Sequence, residues 1–195
     1  ITSSKLKILT YDDPLTRNAG LDIYEEPVAD NTYVMTVDVA RGITKDYSAF
    51  IVFDTTTIPY RIVAKYRNNV IKPMLFPNVI HQVACSYNHA YIMAEVNDIG
   101  GQVADILQYD LEYDNLLMCA MRGRAGQVVG QGFSGSKTQL GVKMSTTVKK
   151  TGCSNMKTLI ETDKLTFLDY DIIAELTTFI QKGQAWEAEA VSYTH

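Results

Sequence analysis

Two acidic residues stand where chemistry is to be expected, each closing an apolar, β-forming run. Asp38 follows Tyr33-Val34-Met35-Thr36-Val37, and Glu95 follows Ala90-Tyr91-Ile92-Met93-Ala94. A carboxylate at the end of such a run has to be hydrogen-bonded, paired or metal-bound. Leaving a polar group bare in apolar surroundings costs about 2–7 kcal/mol, and a charge costs more. For Asp38 taken alone, a strand-end aspartate that closes a turn is an equally good account. Taken together, with no Cys or His at ligand spacing around them, the two acids suit hard cations that prefer oxygen, chiefly Mg2+ or Mn2+. Such sites act on phosphates. With two ions about 3.5–4 Å apart, one activates the attacking water and the other stabilises the leaving oxygen of an in-line displacement.

The elements that must position these acids can be read in order. Tyr33 to Val39 and Ala49 to Phe53 read as a hairpin, with Gly42 and Asp46 supplying the turn chemistry between them. Tyr60 to Tyr66 alternates as a third strand after Pro59. Pro77 then opens a helix with Phe76, Val79, Ile80, Val83, Ala84 and Tyr87 on one face and Asn88 as its stop. After the Glu95 strand, Asn97 or Asp98 is expected to cap a helix bearing Ile99, Val103, Ile106 and Leu107, with Gly100 and Gly101 permitting close backbone approach. Leu116 to Ala120 is a short strand, and Gly123 to Gly141 a long loop. Two helical pieces broken at Gly152, a strand at Leu165 to Leu168 and a helix from about Asp171 to Ile180 capped by Asp169 follow. Residues 1–30 read as a linker or irregular arm, and 31–195 as one α/β domain.

A meander followed by crossover-connected strands implies a mixed sheet of five or more strands with helices on both faces. A right-handed crossover lays the Glu95 strand parallel to the Asp38 strand, and plausible topologies make them neighbours. Both carboxylates then emerge at one edge. The alternative is that they never meet, or meet as a partly protonated structural pair.

Charge is segregated. From Met121 to Lys164 eight basic residues face two acidic ones, whereas the remainder carries ten basic against twenty acidic, for a net charge of −4. The basic stretch is either a solvated face or the footprint of a polyanion. Cys85, Cys119 and Cys153 form no Cys-x-x-Cys pair, which supports neither a disulfide framework nor a structural zinc site and fits a reducing cytoplasm. No apolar run approaches membrane-spanning length, and the start, Ile1-Thr2-Ser3-Ser4-Lys5, reads as the edge of a longer polypeptide. Gly130 to Thr138 superficially suggests a phosphate-binding loop, but Ser136 stands as an extra residue between Gly135 and Lys137, and the required strand and helix do not flank it. His81 and His89 lack partners at metal spacing. Asp46 is read as a turn residue or as an outer support for a metal.

These residues match a known pattern. Val37-Asp38-Val39-Ala40-Arg41-Gly42 with Asp46-Tyr47-Ser48, Glu95 to Gly100, Gly141-Val142-Lys143, Lys149, Gly152 to Glu161 and Asp163-Lys164-Leu165 together resemble the C-terminal nuclease domain of large terminases of T-even-related tailed bacteriophages. The resemblance implies an RNase H-like fold and an endonuclease, dependent on Mg2+ or Mn2+ and using two ions, that cuts concatemeric double-stranded DNA during headful packaging in the cytoplasm of the bacterial host. It implies Asp38 and Glu95 as two of three catalytic metal ligands, gives standing to Asp46, and places the third acid beyond His195, after the segment around Trp186. It further implies an N-terminal ATPase domain in the same polypeptide, with portal and small terminase subunit as partners. Lys137, Lys143, Lys149 and Lys150 would neutralise duplex phosphates. Arg41 would contact the scissile phosphate or form a structural ion pair. A non-catalytic module that grips DNA for the packaging motor is the alternative.

Overall fold

Strand formation follows the β-branched and aromatic runs closely, and pairing converts them into one mixed sheet. The computed structural model describes residues 10–41, 46–121, 126–129, 138–182 and 185–188. Its main sheet contains β1 (Thr16–Asn18), β2 (Leu21–Ile23), β3 (Tyr33–Asp38), β4 (Ser48–Asp54), β5 (Tyr60–Asn68) and β6 (Tyr91–Ala94). The order is β1-β2-β5-β4-β3-β6, with β10 (Leu165–Thr166) pairing β5 as the seventh strand. The meander β3-β4-β5 is antiparallel, whereas β6 lies parallel to β3. A smaller antiparallel sheet joins β7 (Met118–Ala120), β8 (Val128–Val129) and β9 (Thr138–Leu140), and a hairpin joins β11 (Phe179–Lys182) to β12 (Ala185–Ala188).

The sheet is covered on both faces because its strands alternate apolar side chains with a period of two. On one face Tyr33, Met35, Val37, Phe50, Val52, Tyr66, Ile92 and Ala94 pack with α1 (Phe76–Ser86) and α2 (Gly100–Asp105), the latter running on into a π-helical turn over Ile106–Asp110. Phe76, Ile80, Val83 and Ala84 supply the α1 stripe. On the other face Ile62, Leu165 and Phe167 pack with Ile160 of α3 (Thr146–Glu161) and with Ile172 and Ile173 of α4 (Tyr170–Thr178). This is the expected α/β architecture, a mixed sheet with helices on both faces.

Four local expectations are corrected. Where an irregular arm is expected, residues 16–23 instead form β1 and β2, and β2 pairs β5 from Leu21↔Tyr66 to Ile23↔Ala64. The hydrophobic signal of such three-residue strands is too short to read, and the tertiary partner supplies it. For the same reason the stretch expected as one long loop contains β8 and β9, both paired to β7. Gly152 does not break a helix: α3 is continuous, and a Cβ at Gly152 would meet nothing within 4 Å. A glycine inside a helix costs about 1 kcal/mol relative to alanine, too little to stop one that is anchored by packing. Finally, neither Asn97 nor Asp98 caps α2, whose N-cap is Ile99 with no side-chain cap bond.

Candidate functional site

The end of β6 is held from both sides by backbone. The Glu95 N–H donates to the Val37 carbonyl at 2.8 Å, the Val142 N–H donates to Ala94 at 2.8 Å, and the Val96 N–H donates to Val142 at 2.9 Å. Two glycines make this crowding possible. Gly141 adopts φ +71°, and a Cβ there would run into the Ala94 carbonyl. A Cβ on Gly100 would collide with the Glu95 carbonyl group, so the start of α2 abuts Glu95 because that position has no side chain. Gly101 has no such role, since its nearest neighbour for a Cβ is the Val96 carbonyl oxygen at 3.8 Å.

Register brings the two acids together. The last ladder pair of the parallel strands is Val37↔Ala94, so Asp38 and Glu95 follow it side by side on strands that run about 4.8 Å apart. Val37 and Ala94 point into the core. By alternation Asp38 and Glu95 point to the opposite face, which is also that of α3 and α4.

Their electrostatics differ from those of the other acids. Asp54, 1% exposed, is met by Arg61 at 2.7 Å and Asn31 at 2.8 Å and accepts from the Thr56 N–H at 2.9 Å. Burial pushes the Asp54 carboxyl up, but these donors outweigh it and hold it below the usual range. Asp169 behaves likewise, with bonds from Lys65 and Tyr24 at 2.6 Å each and from the Ile172 N–H at 2.8 Å overcoming its burial. Asp38 and Glu95 go the other way. The surrounding protein strips hydration from Asp38 and raises its carboxyl, the Val39 N–H pulls it back, and the charge of Asp46 adds to the rise. Glu95 is raised first by burial and then by Asp38, drawn down by Lys149, and raised again by Asp98. Among the described residues these are the carboxylates displaced upward, and no ion pair reaches either one. A pair of neighbouring acids kept partly desolvated and unneutralised marks a functional site more often than a structural one.

The surroundings place the remaining expected residues. Asp46 is exposed at the start of the second hairpin arm and close enough for its charge to be felt at Asp38. Arg41 forms an ion pair with Asp98 at 2.7 Å, both side chains well exposed. Lys143, Lys149 and Lys150 are exposed at and just before the start of α3, and Lys149 reaches the field of Glu95. Gly42, Lys137 with the Gly130 to Ser136 stretch before it, and the chain after Ala188 lie outside the described residues.

Sequence reasoning missed Asn97 as a clamp. Its side-chain amide donates to the Met144 carbonyl at 3.1 Å, and its side-chain carbonyl accepts from the Met144 N–H at 2.7 Å. It also missed Lys65, 8% exposed, which joins Asp169 at 2.6 Å, Asp171 at 2.8 Å and Asp22 at 3.6 Å and so ties the β1-β2 hairpin to α4. Alternation alone gave a hint, since a lysine amid the buried run Ile62 to Tyr66 has to be paired.

The donor set fits a hard divalent cation as two of its ligands: both are carboxylates, they share a face, and the charge of Asp38 opposes ionisation of Glu95 until a cation offsets it. Among the described residues no group of three or more His, Cys, Asp or Glu side chains is close enough to hold a metal ion. No helix is long and apolar enough to cross a membrane among them.

Known proteins share this fold. The model of the terminase RNaseH-like domain family matches residues 35–190. Among solved structures, the large terminase nuclease of thermophilic phage G20c with bound magnesium superposes with a TM-score of 0.69 at 23% identity, covering 96% of this chain and 87% of that one. The same nuclease with bound zinc gives 0.66 at 25% identity, with 91% and 86% covered. The large terminase nuclease domain of Thermus phage P74-26 gives 0.65 at 24%, with 93% and 80% covered.

Proposed function

The chain belongs to the terminase RNaseH-like domain family, and from that premise we propose that it is the metal-dependent endonuclease of a viral large terminase, cutting concatemeric double-stranded DNA during genome packaging. The observation that carries the reading is the juxtaposition of Asp38 and Glu95. Positions 57 apart in sequence end adjacent parallel strands in register, on one face, both carboxyls raised by burial and Glu95 raised further by the charge of Asp38. Bound relatives support a divalent ion: the G20c nuclease is described with magnesium, cobalt and zinc.

Asp38 and Glu95 would hold Mg2+ or Mn2+ as two of its ligands. When bound, two such ions supply an activated water and stabilise the leaving oxygen, giving 5′-phosphate and 3′-hydroxyl ends. The chain's own residues do the rest. The ladders on both sides of Glu95 fix its backbone, so little reorganisation is needed at the moment of reaction. Asp46 supports the rim near Asp38. Lys143, Lys149, Lys150 and Lys137 neutralise duplex phosphates without reading bases, so affinity falls steeply with salt. Arg41, paired with Asp98, is free to exchange that exposed partner for a phosphate. The nuclease unit takes in residues 31–195 together with β1 and β2, which pair into its sheet; an ATPase domain of the same polypeptide, portal and small terminase subunit are its partners in the infected host's cytoplasm.

The test is cleavage of supercoiled plasmid with Mg2+ or Mn2+ and with chelator. The full protein is expected to cut only with metal, and Asp38→Asn to cut at least about a hundredfold more slowly while binding DNA with the same salt dependence. Cutting unchanged in Asp38→Asn sinks the assignment. No cutting by either, with salt-sensitive binding retained, points instead to a DNA-gripping module.

A further inference from the structure

The acid pair sits at the end of a sheet, whereas Lys149 comes from the first turn of α3, about fifty residues later in the chain, on the face to which the two acids point. Something must set the distance between them. The chain path supplies it: Val142 is laced to β6 by backbone bonds, Met144 is gripped by the Asn97 amide through both its N–H and its carbonyl, and Ser145 then caps α3. Ser145 has extended backbone (φ −124°, ψ 166°), its Oγ accepts from the Val148 N–H at 3.2 Å, and its carbonyl accepts from the Lys149 N–H at 2.9 Å. Asn97 itself is fixed, because its backbone carbonyl accepts from the Gly100 N–H at 3.0 Å. A rigid path therefore runs from Glu95 through Asn97, Met144 and Ser145 to the first turn that carries Lys149.

We propose that Asn97 is a positioning residue: by closing paired hydrogen bonds on the Met144 backbone it fixes the first turn of α3, and with it the Lys149 ammonium, against the end of β6 that bears Glu95. An asparagine is suited to this because one planar amide presents a donor and an acceptor side by side, matching the N–H and carbonyl of a single residue. Alanine offers neither, and aspartate keeps the acceptor but turns the donor into a second acceptor facing the Met144 carbonyl. Within the nuclease reading, on which its catalytic consequence rests, Lys149 would meet the phosphate beside a cation held by the two carboxylates, and the clamp sets that approach.

Two measurements on the full protein test this. The first is amide hydrogen exchange without DNA or metal. Asn97→Ala is expected to speed exchange of the Lys149 amide about tenfold while leaving that of Val142, which is bonded to β6, unchanged; Asn97→Asp is expected to fall between the wild type and Asn97→Ala. The second is plasmid cleavage with Mg2+ by Asn97→Ala, Lys149→Ala and the double variant. Asn97→Ala is expected to lower kcat about tenfold with KM altered less than about threefold, and the double variant to be no slower than Lys149→Ala, since the two residues act through one group. Unmoved exchange at Lys149 overturns the clamp, and multiplicative losses in the double variant overturn its link to Lys149. A protein that cuts nothing defeats the nuclease reading alone, because the exchange rates still decide whether Asn97 positions α3.

Discussion

Gly100→Ala tests whether the site depends on the close approach of α2 to Glu95. An added Cβ would stand 3.0 Å from the Glu95 carbonyl carbon and closer still to its oxygen, whereas carbon atoms rest about 3.5–4.0 Å apart. The closer contact with the oxygen decides, so the helix or the strand end must yield by at least about 1 Å. Glu95 is held by ladders to Val37 and Val142, and α2 is held by buried Val103 and Ala104, so the strain is shared. Overpacking of this kind costs about 1–3 kcal/mol, and replacing glycine by alanine in a helix returns up to about 1 kcal/mol. The net loss of about 1–2 kcal/mol corresponds to a Tm lower by about 2–8 °C for a chain of this size. On the proposed nuclease reading, a displacement of about 1 Å at Glu95 is expected to slow cleavage about a hundredfold, well beyond what the lost stability explains. Thermal unfolding and plasmid cleavage at a temperature far below Tm separate the two effects. Wild-type cleavage with an unchanged Tm would refute the reasoning, since α2 would then accommodate a methyl group without disturbing Glu95.

The raised carboxyls at Asp38 and Glu95 bind protons more tightly in the folded than in the unfolded chain, so stability falls as pH climbs from the usual carboxylate range through the raised values. Asp38→Asn is therefore expected to raise Tm at pH 7 in the absence of metal and to give no gain at pH 3, and Mg2+ to raise the Tm of the wild type more than that of the variant. A lower Tm for Asp38→Asn at neutral pH would show that Asp38 is a satisfied structural acid. At the other end of the molecule, Lys65→Ala leaves Asp169 buried without its cation, while Asp22 keeps Arg17 at 2.8 Å, and is expected to cost about 3–5 kcal/mol, read by chemical denaturation. Burial lowers the Lys65 ammonium, but Asp169 and Asp171 outweigh it and hold it above its ordinary value. The stability it contributes is thus complete at neutral pH and is lost only as pH rises through that raised value, while the share held by the depressed Asp169 is lost as pH falls below the usual carboxylate range. A denaturation midpoint unchanged by the substitution at pH 7 would exclude this account.

The sequence by itself determined the longer elements. Period-two runs ending at Asp38 and Ala94 have one stable use, half-buried strands, and the stripe from Phe76 to Ala84 one stable use, a helix that covers them. The handedness of the crossover already implied that β6 would run parallel to β3. What only the tertiary structure decided is distance. That Asp38 and Glu95 fall side by side follows from the Val37↔Ala94 register, which a one-residue slip would have turned to opposite faces. Asn97 looked like a helix cap because its side chain favours that role, and a partner forty-seven residues away claimed it instead. Arg41 likewise acquired Asp98, and Lys65 acquired carboxylates from β2 and α4. Propensity and periodicity are local, set by the backbone and the nearest turn, whereas hydrogen bonds and ion pairs go to whichever group the packed sheet and helices bring within reach.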